Sequence, residues 1–459
     1  MSHPSDQALA FFTQGNRHLA DGDDAAAEAC FLRVLELDPD SGAALANLAY
    51  LGERAARWEQ AEACYRRAIE LLPDHPQIYR NLGALLLKAK RFDEAETVSR
   101  LALYLEPDHA PAWSNLGVLL VHMGREREAE DCYRSALQLD GGCAKARFNL
   151  AYLLLRQGRM AEGWTMLEAR EQSVALAAYF SCPRWQGEPL AGKSLVISFE
   201  AGLGDTIQFS RYILLLKERG AARVALICHP PLKSLMLTLR GVDQVYAYDE
   251  AVPADGWDFW TLTLSLPGLC GTRLDTIPAP IPYLSAEPAR KRYWAGQLPR
   301  ERINIGLVWK GNPAFENDAD RSLPSLQMLV PLAVFSEVQW VGLQKGAGEE
   351  ESSPLLPLLP FGPALRDFAD TAALVDSLDL VISVDTAVAH LAGALGKPCW
   401  VLLPHHRTDW RWLSGRSDTP WYPQTMRLFL QEQAGQWEPV IGRVAEALRD
   451  WLAHPVAKS

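Results

Sequence analysis

ANLAYL at residues 46–51 returns as RNLGAL at 80–85, SNLGVL at 114–119 and FNLAYL at 148–153. Asn47, Asn81, Asn115 and Asn149 therefore stand 34 residues apart (81−47, 115−81, 149−115). A fixed period of this length describes a unit of two helices and a turn that cannot bury its own apolar face and becomes stable by stacking into a solenoid. The residues inside each unit agree. With units starting at Ala8, Gly42, Pro76 and Ala110, the eighth position reads Gly15, Ala49, Gly83 and Gly117, and the twentieth Ala27, Ala61, Ala95 and Ala129, small residues where two helices must approach closely. The twenty-fourth position reads Phe31, Tyr65, Ser99 and Tyr133, and the units close on Pro39, Pro73, Pro107 and Gly141. A fifth unit starts near Ala144 and loses the pattern after 156–159, as a terminal cap does.

This register resembles that of tetratricopeptide repeats, and the resemblance implies an α-solenoid over residues 1–172 whose first helices line a concave face. The recurring asparagines occupy the sixth position, on those first helices. The solenoid of O-GlcNAc transferase is similar in carrying asparagines at the equivalent position. That similarity implies that Asn47, Asn81, Asn115 and Asn149 clamp an extended protein or peptide acceptor, since an amide offers both a donor and an acceptor to any peptide group. The alternative is structural, with the amides bonding to the backbone or to one another along the groove.

A chain of 459 residues suggests about three domains. A formal charge of −11 argues against nucleic acid as principal ligand, because backbone binding needs clustered positive charge. The apolar run 380–403 is interrupted by Asp385, His390 and Lys397, so no membrane span is expected, and MSHPSDQALA lacks a signal region; the expected compartment is the cytoplasm. None of the eight cysteines forms a C-x-x-C pair, and Cys30, Cys64 and Cys132 share the twenty-third repeat position, which reads as reduced core thiols. Neither a metal nor a cofactor is expected.

Residues 173–193, rich in Pro and Gly, read as a linker. A strand at 194–198, a glycine turn with Gly202, Gly204 and Asp205, a helix over 206–219 and a strand at 223–228 make a βαβ unit, the start of a doubly wound half over 194–300. A second such half, 301–459, starts with a strand at 303–309, with further strands at 338–343, 378–384 and 399–403 and a last helix near 439–453. Two halves of this kind predict a deep cleft, with ligands at the carboxyl ends of the strands, the layout of a GT-B fold.

The segments GLGDTIQFSRY, IGLVWKGNP, DRSLP and DLVISVDTAVAHLAGALGKPCWVLLP resemble the heptosyltransferase-like branch of glycosyltransferase family nine, in the variety fused to tetratricopeptide repeats, over about 195–452. The resemblance implies a nucleotide-sugar donor as co-substrate, lined by Asp385 and His390, and assigns Asp205 as the base that takes the acceptor proton. Ala387 stands where the family more often has glycine. The residues argue separately for related chemistry. Thr386 is an expected N-cap whose helix would offer free N–H groups to a diphosphate. Lys310 and Arg321 flank a loop from which they could stabilise the leaving phosphate, and a carboxylate at Asp205 could accept a proton, with Glu200 as the other candidate. Each has a plainer reading: a capping aspartate at Asp205, a core histidine at His390, a solvated loop around Lys310 and Arg321. Asp318-Ala-Asp320 spells D-x-D, a metal motif of a different fold, and is set aside. The aromatic tail (Trp410, Trp412, Trp421, Tyr422, Trp437), interleaved with Arg407, Arg411 and Arg416, is read chiefly as packing, with a supporting part in phosphate or acceptor binding left open. The expected activity is metal-independent sugar transfer to a hydroxyl of a protein. The alternatives are a glycan- or lipid-linked acceptor, or a non-catalytic scaffold.

Overall fold

The computed structural model describes residues 4–170, 174–278 and 281–454. They form two compact units, 1–150 and 151–459. In the first, successive hairpins pair α1 (Pro4–Ala20) with α2 (Asp24–Leu37), α3 (Gly42–Arg54) with α4 (Trp58–Leu71), α5 (Pro76–Lys88) with α6 (Phe92–Leu105), and α7 (Ala110–His122) with α8 (Glu126–Leu139); α9 (Ala144–Arg156) opens the fifth. In three of the hairpins a glycine at the eighth position lies under the twenty-fourth: a Cβ on Gly15 would lie 2.8 Å from Cε1 of Phe31, and one on Gly117 2.5 Å from Cε1 of Tyr133, so glycine allows this approach. First helices of consecutive hairpins touch, α3 with α5 and α5 with α7, as they do on the inner wall of a curved stack.

Two side-chain ladders tie each repeat to the one before. Arginine at the sixteenth position pairs with glutamate at the twenty-first position of the preceding repeat: Arg57 with Glu28 (2.7 Å), Arg91 with Glu62 (2.7 Å) and Arg125 with Glu96 (2.6 Å). The thirteenth position reaches the preceding seventeenth: Arg54 pairs with Asp24 at 3.0 Å, Lys88 lies 5.4 Å over the Trp58 ring, and His122 stacks on Phe92 at 5.7 Å.

The second unit takes in the end of α9, then α10 (Met160–Leu167), α11 (Val174–Tyr179), β1 (Ser194–Ser198), α12 (Leu203–Phe209), α13 (Tyr212–Glu218), β2 (Arg223–Cys228), α14 (Lys233–Met236), β3 (Gln244–Ala247), β4 (Phe259–Leu262), α15 (Leu266–Leu269) and α16 (Pro288–Ala295). Its second half holds β5 (Ile303–Val308), α17 (Asp318–Arg321), β6 (Val338–Gly342), β7 (Leu358–Pro360), α18 (Phe368–Asp376), β8 (Leu380–Val384), α19 (Ala387–Ala394), β9 (Cys399–Leu403), β10 (Met426–Leu430) and α20 (Glu438–Ala453). The sheets run β3-β2-β1-β4 and β10-β9-β8-β5-β6-β7, all strands parallel. Near-continuous apolar strands are what a parallel sheet covered on both faces requires. The fold is thus a helical-repeat solenoid followed by an α/β region of two parallel sheets.

Three expectations need adjusting. The compact unit changes at 150/151 and not at 172, because Ala151, Leu155, Met160, Trp164 and Leu167 share a core with Leu195, Ile197 and Ile207 of the first sheet. Part of the expected linker is packed: Arg184 bridges to Trp260, the Trp185 N–H donates to the Trp260 carbonyl (2.8 Å), and the Trp185 side chain is fully buried. Positions 171–173 lie outside the described residues. The deep cleft is closed along one line, since the same core continues into Leu391, Trp410 and Trp421 and α12 packs directly on α19.

Arg211 joins the halves. Fully buried between α12 and α13, it donates to the carbonyls of Gln208 (2.9 Å) and Trp421 (2.6 Å), and its guanidinium lies over the rings of Tyr422 (4.7 Å), Tyr283 (4.9 Å) and Trp421 (5.5 Å). The helix expected over 206–219 breaks at this residue into α12 and α13.

Candidate active site

The chain leaves β1 through a glycine turn and enters α12, whose first turn carries Asp205. One carboxylate oxygen, Oδ2, accepts from the Gly202 N–H at 2.7 Å, satisfying a donor at the helix start. Gly204 makes the approach of the two halves possible, because a Cβ there would lie 2.8 Å from Cδ2 of His390 and 3.5 Å from the Cα of Ala387. The glycine turn, Ala387 and His390 are therefore brought together as neighbours, at the carboxyl ends of β1 and β8.

A guanidinium from the far side closes the arrangement. Arg411, buried, pairs with the other Asp205 oxygen, donates to Asp409 through two contacts (2.8 and 2.9 Å), and donates from Nε to Oε1 of Gln208 at 2.6 Å. It is flanked by the rings of Trp410 (4.5 Å) and Phe209 (5.3 Å). Burial raises the affinity of the Asp205 carboxyl for a proton above the ordinary aspartate, and the charge of Arg411 and the Gly202 N–H offset part of that rise. The sequence alone offered Arg411 only as one of three interleaved arginines and passed over Asp409 and Gln208; the periodicity of the aromatic tail carries no sign of a partner some two hundred residues away.

At the end of β8, Asp385 is pushed up to about 6, first by burial and then by the facing Asp409, with Trp412, Arg321 and Arg411 pulling the other way. Thr386 stands at the N-cap with extended backbone, but its side chain makes no capping bond: its hydroxyl instead pairs with the Ser383 hydroxyl at 3.1 Å. The first turn of α19 thus keeps its backbone donors uncapped by a side chain, and Asp385, Thr386, Ala387 and Val388 are all partly exposed. His390 is buried. Its Nδ1 is 3.1 Å from the Tyr422 hydroxyl, its ring stacks on Trp412 at 5.2 Å, and burial together with Arg411 and Arg211 holds it neutral.

Lys310 and Arg321 are both already engaged. Lys310 pairs with Glu351, on the loop after β6, and Arg321 pairs with Asp318 at 3.1 Å while lying 4.5 Å over Phe315. Arg321 also faces Asp385, drawing down its proton affinity. The first aspartate of D-x-D, Asp318, accepts from Ser322 (3.0 Å) and Arg321. Glu200, the other candidate, is buried and held in a two-pronged pair with Arg170 (2.6 and 2.9 Å). Trp410, Trp412, Trp421, Tyr422 and Trp437 are all buried, as packing aromatics are.

On the solenoid, Asn47 donates to Asn16 Oδ1 (3.0 Å), Asn81 accepts from Gln77 (2.6 Å), Asn149 donates to the Ser114 hydroxyl (3.3 Å), and Asn115 is exposed. All eight cysteines are free thiols. Among the described residues, no helix is long and apolar enough to cross a membrane.

Comparison with known proteins matches residues 44–77 and 74–142 to the tetratricopeptide repeat and residues 365–431 to glycosyltransferase family 9 (heptosyltransferase). The last match holds α18 to α19 and the stretch from Asp409 to Tyr422. Protein FlbA of Caulobacter vibrioides is 32% identical over 330 residues, 64% of this chain and 53% of that protein, so the chain spans about half the length of this curated relative. Among solved structures, MamA is 20% identical over 36% of this chain and 97% of its own (TM-score 0.33), and Pseudomonas aeruginosa PilF is 22% identical over 37% and 79% (TM-score 0.35). The chain thus carries tetratricopeptide repeats and, over residues 365–431, a segment similar to glycosyltransferase family 9.

Proposed function

We propose that this chain is a GT-B glycosyltransferase that transfers a sugar from a nucleoside-diphosphate donor to a hydroxyl of a protein acceptor held by Asn47, Asn81, Asn115 and Asn149, in the cytoplasm and without a metal. The observation that carries the reading is the meeting, at adjacent strand ends, of a partly exposed carboxylate and a helix start with uncapped donors. Asp205 takes the proton of the attacking hydroxyl as its oxygen bonds to the anomeric carbon. The bond from that carbon to the diphosphate breaks, and the charge left on the phosphate is stabilised by the first turn of α19. Arg321 assists from the edge of the site once it exchanges Asp318 for phosphate, and Lys310 does so on leaving Glu351. His390 contributes a neutral wall, not a charge.

A glycan- or lipid-linked acceptor is the second reading, favoured by one observation: Asn47 and Asn149 already bond to neighbouring polar side chains, as amides in a structural ladder would. Incubation with ADP-, GDP-, UDP- and CMP-linked sugars, followed by intact-mass measurement of co-purifying proteins, tests both. A mass increment on a protein supports the proposal. Donor turnover without any protein modified favours the second reading, and silence across the donors makes the chain a scaffold.

A further inference from the structure

Arg411 touches the candidate base and both of the elements that frame it. Its guanidinium meets Asp205 from the first half, Asp409 from its own loop after β9, and Gln208 one turn beyond Asp205 on α12, with Phe209 and Trp410 on its flanks. Arg411 is buried, so these contacts are made away from solvent, where a planar fork that bonds in fixed directions orients its partner more strictly than a point charge does. Asp205 has two oxygens, each able to accept two hydrogen bonds. Gly202 takes one place on Oδ2 and Arg411 one on Oδ1, which leaves lone pairs for an incoming hydroxyl while the carboxylate cannot rotate.

We propose that Arg411 is the positioning residue of the reaction, orienting the Asp205 carboxylate toward the acceptor hydroxyl while Asp409 anchors Arg411 from behind. This rests on the reading of Asp205 as the base. Arg411 gives and takes no proton. The proton passes from the acceptor oxygen to Asp205, and the electron pair of the cleaved bond leaves with the nucleoside diphosphate.

The groups facing Asp205 act on its proton affinity with opposite signs. Arg411 lowers it and Asp409 raises it. His229, after β2, and Tyr152, on α9, also feel its charge, and Asp385 faces Asp409 across the site. Removing the two partners of the pair should therefore move Asp205 in opposite directions, which checks the contacts, while a loss of turnover at unchanged KM in Arg411→Lys is the change that a merely structural role would not produce.

The test is a titration of the full-length protein labelled with 13C at aspartate carboxyls, Asp205 being assigned by the signal lost in Asp205→Asn. Arg411→Gln should raise the Asp205 midpoint by about one to three pH units, the usual influence of an adjacent opposite charge, and Asp409→Asn should lower it. Arg411→Lys should hold the midpoint near that of the parent while lowering hydrolysis of whichever nucleotide sugar is turned over by about tenfold or more, with KM little changed. Should Arg411→Gln not fold, Asp409→Asn and Arg411→Lys still decide. Midpoints that stay put in the folded variants, or full hydrolysis in Arg411→Lys, overturn the proposal. If Asp205→Asn itself keeps full turnover, it is the base assignment that has failed.

Discussion

At the scale of single residues, Asp205 and Asp385 each lie beside a helix start that follows a strand, Asp205 in the first turn of α12 after β1 and Asp385 just before α19 after β8, and differ in what surrounds them. Asp205 is bonded by Gly202 and Arg411, and Asp205→Asn should lower turnover by about 10² to 10⁴ with donor affinity nearly unchanged, read from steady-state rates and donor titration. Asp385, partly exposed, faces Asp409 and holds its proton up to about 6 against 3.8 when unperturbed. Because the folded state binds this proton more tightly than the unfolded one, the stability it contributes is complete below about 4 and is lost as pH rises through about 6. Asp385→Asn, which mimics the protonated form, should raise stability at pH 7 by about 1–3 kcal/mol and change nothing near pH 3.5, as followed by denaturant melts at both values. Arg321→Ala should weaken nucleoside diphosphate binding more than nucleoside binding in calorimetry; equal losses would remove Arg321 from the phosphate site.

Between residues and the molecule stand the repeats and strands, and these were the most legible part of the sequence. A 34-residue period names its hairpins directly, and Gly117 is a close-approach site as the small eighth position predicted, while the residue it approaches, Tyr133, was not readable from the register. The strands Ser194–Ser198, Arg223–Cys228 and Cys399–Leu403 could be read to the residue because each is a short apolar run bounded by Gly, Pro or charge. The strands β3, β4, β7 and β10 could not, since they are short and their turns carry no strong signal. Thr386 is instructive: its position as N-cap was readable, but the direction of its hydroxyl, toward Ser383, was not. The asparagine ladder is where element and function meet. Asn81→Ala with Asn115→Ala should leave helical content and donor hydrolysis unchanged while weakening acceptor engagement about 5- to 150-fold, at about 0.5–1.5 kcal/mol per lost amide contact. Loss of circular-dichroism helix signal in that variant would instead make the ladder structural.

Across the molecule, contacts distant in sequence decide the site, and periodicity has nothing to say about them. Arg411 on Asp205, Arg170 on Glu200 and Gly204 under His390 each join segments that share no pattern. Two of the links between the sheets differ in kind. The pair of Asp205 with Arg411 contains a carboxylate whose proton affinity the fold raises, so protonating it in acid favours the folded state, and that gain is given up as pH rises. Arg211 is held by peptide carbonyls and aromatic rings, which do not take up protons in mild acid. Amide hydrogen exchange, corrected for its intrinsic pH dependence, should therefore be no faster near pH 4 than near pH 7 at 202–205 and 409–412, with 421–422 equally protected at both; faster corrected exchange at 202–205 in acid would show that the pair fastens the fold only when charged. The protein would thus carry a fastening indifferent to acidity beside a corner that acid protonates without opening, so that a fall in pH would silence the proposed base and leave the body ready to resume once neutrality returns.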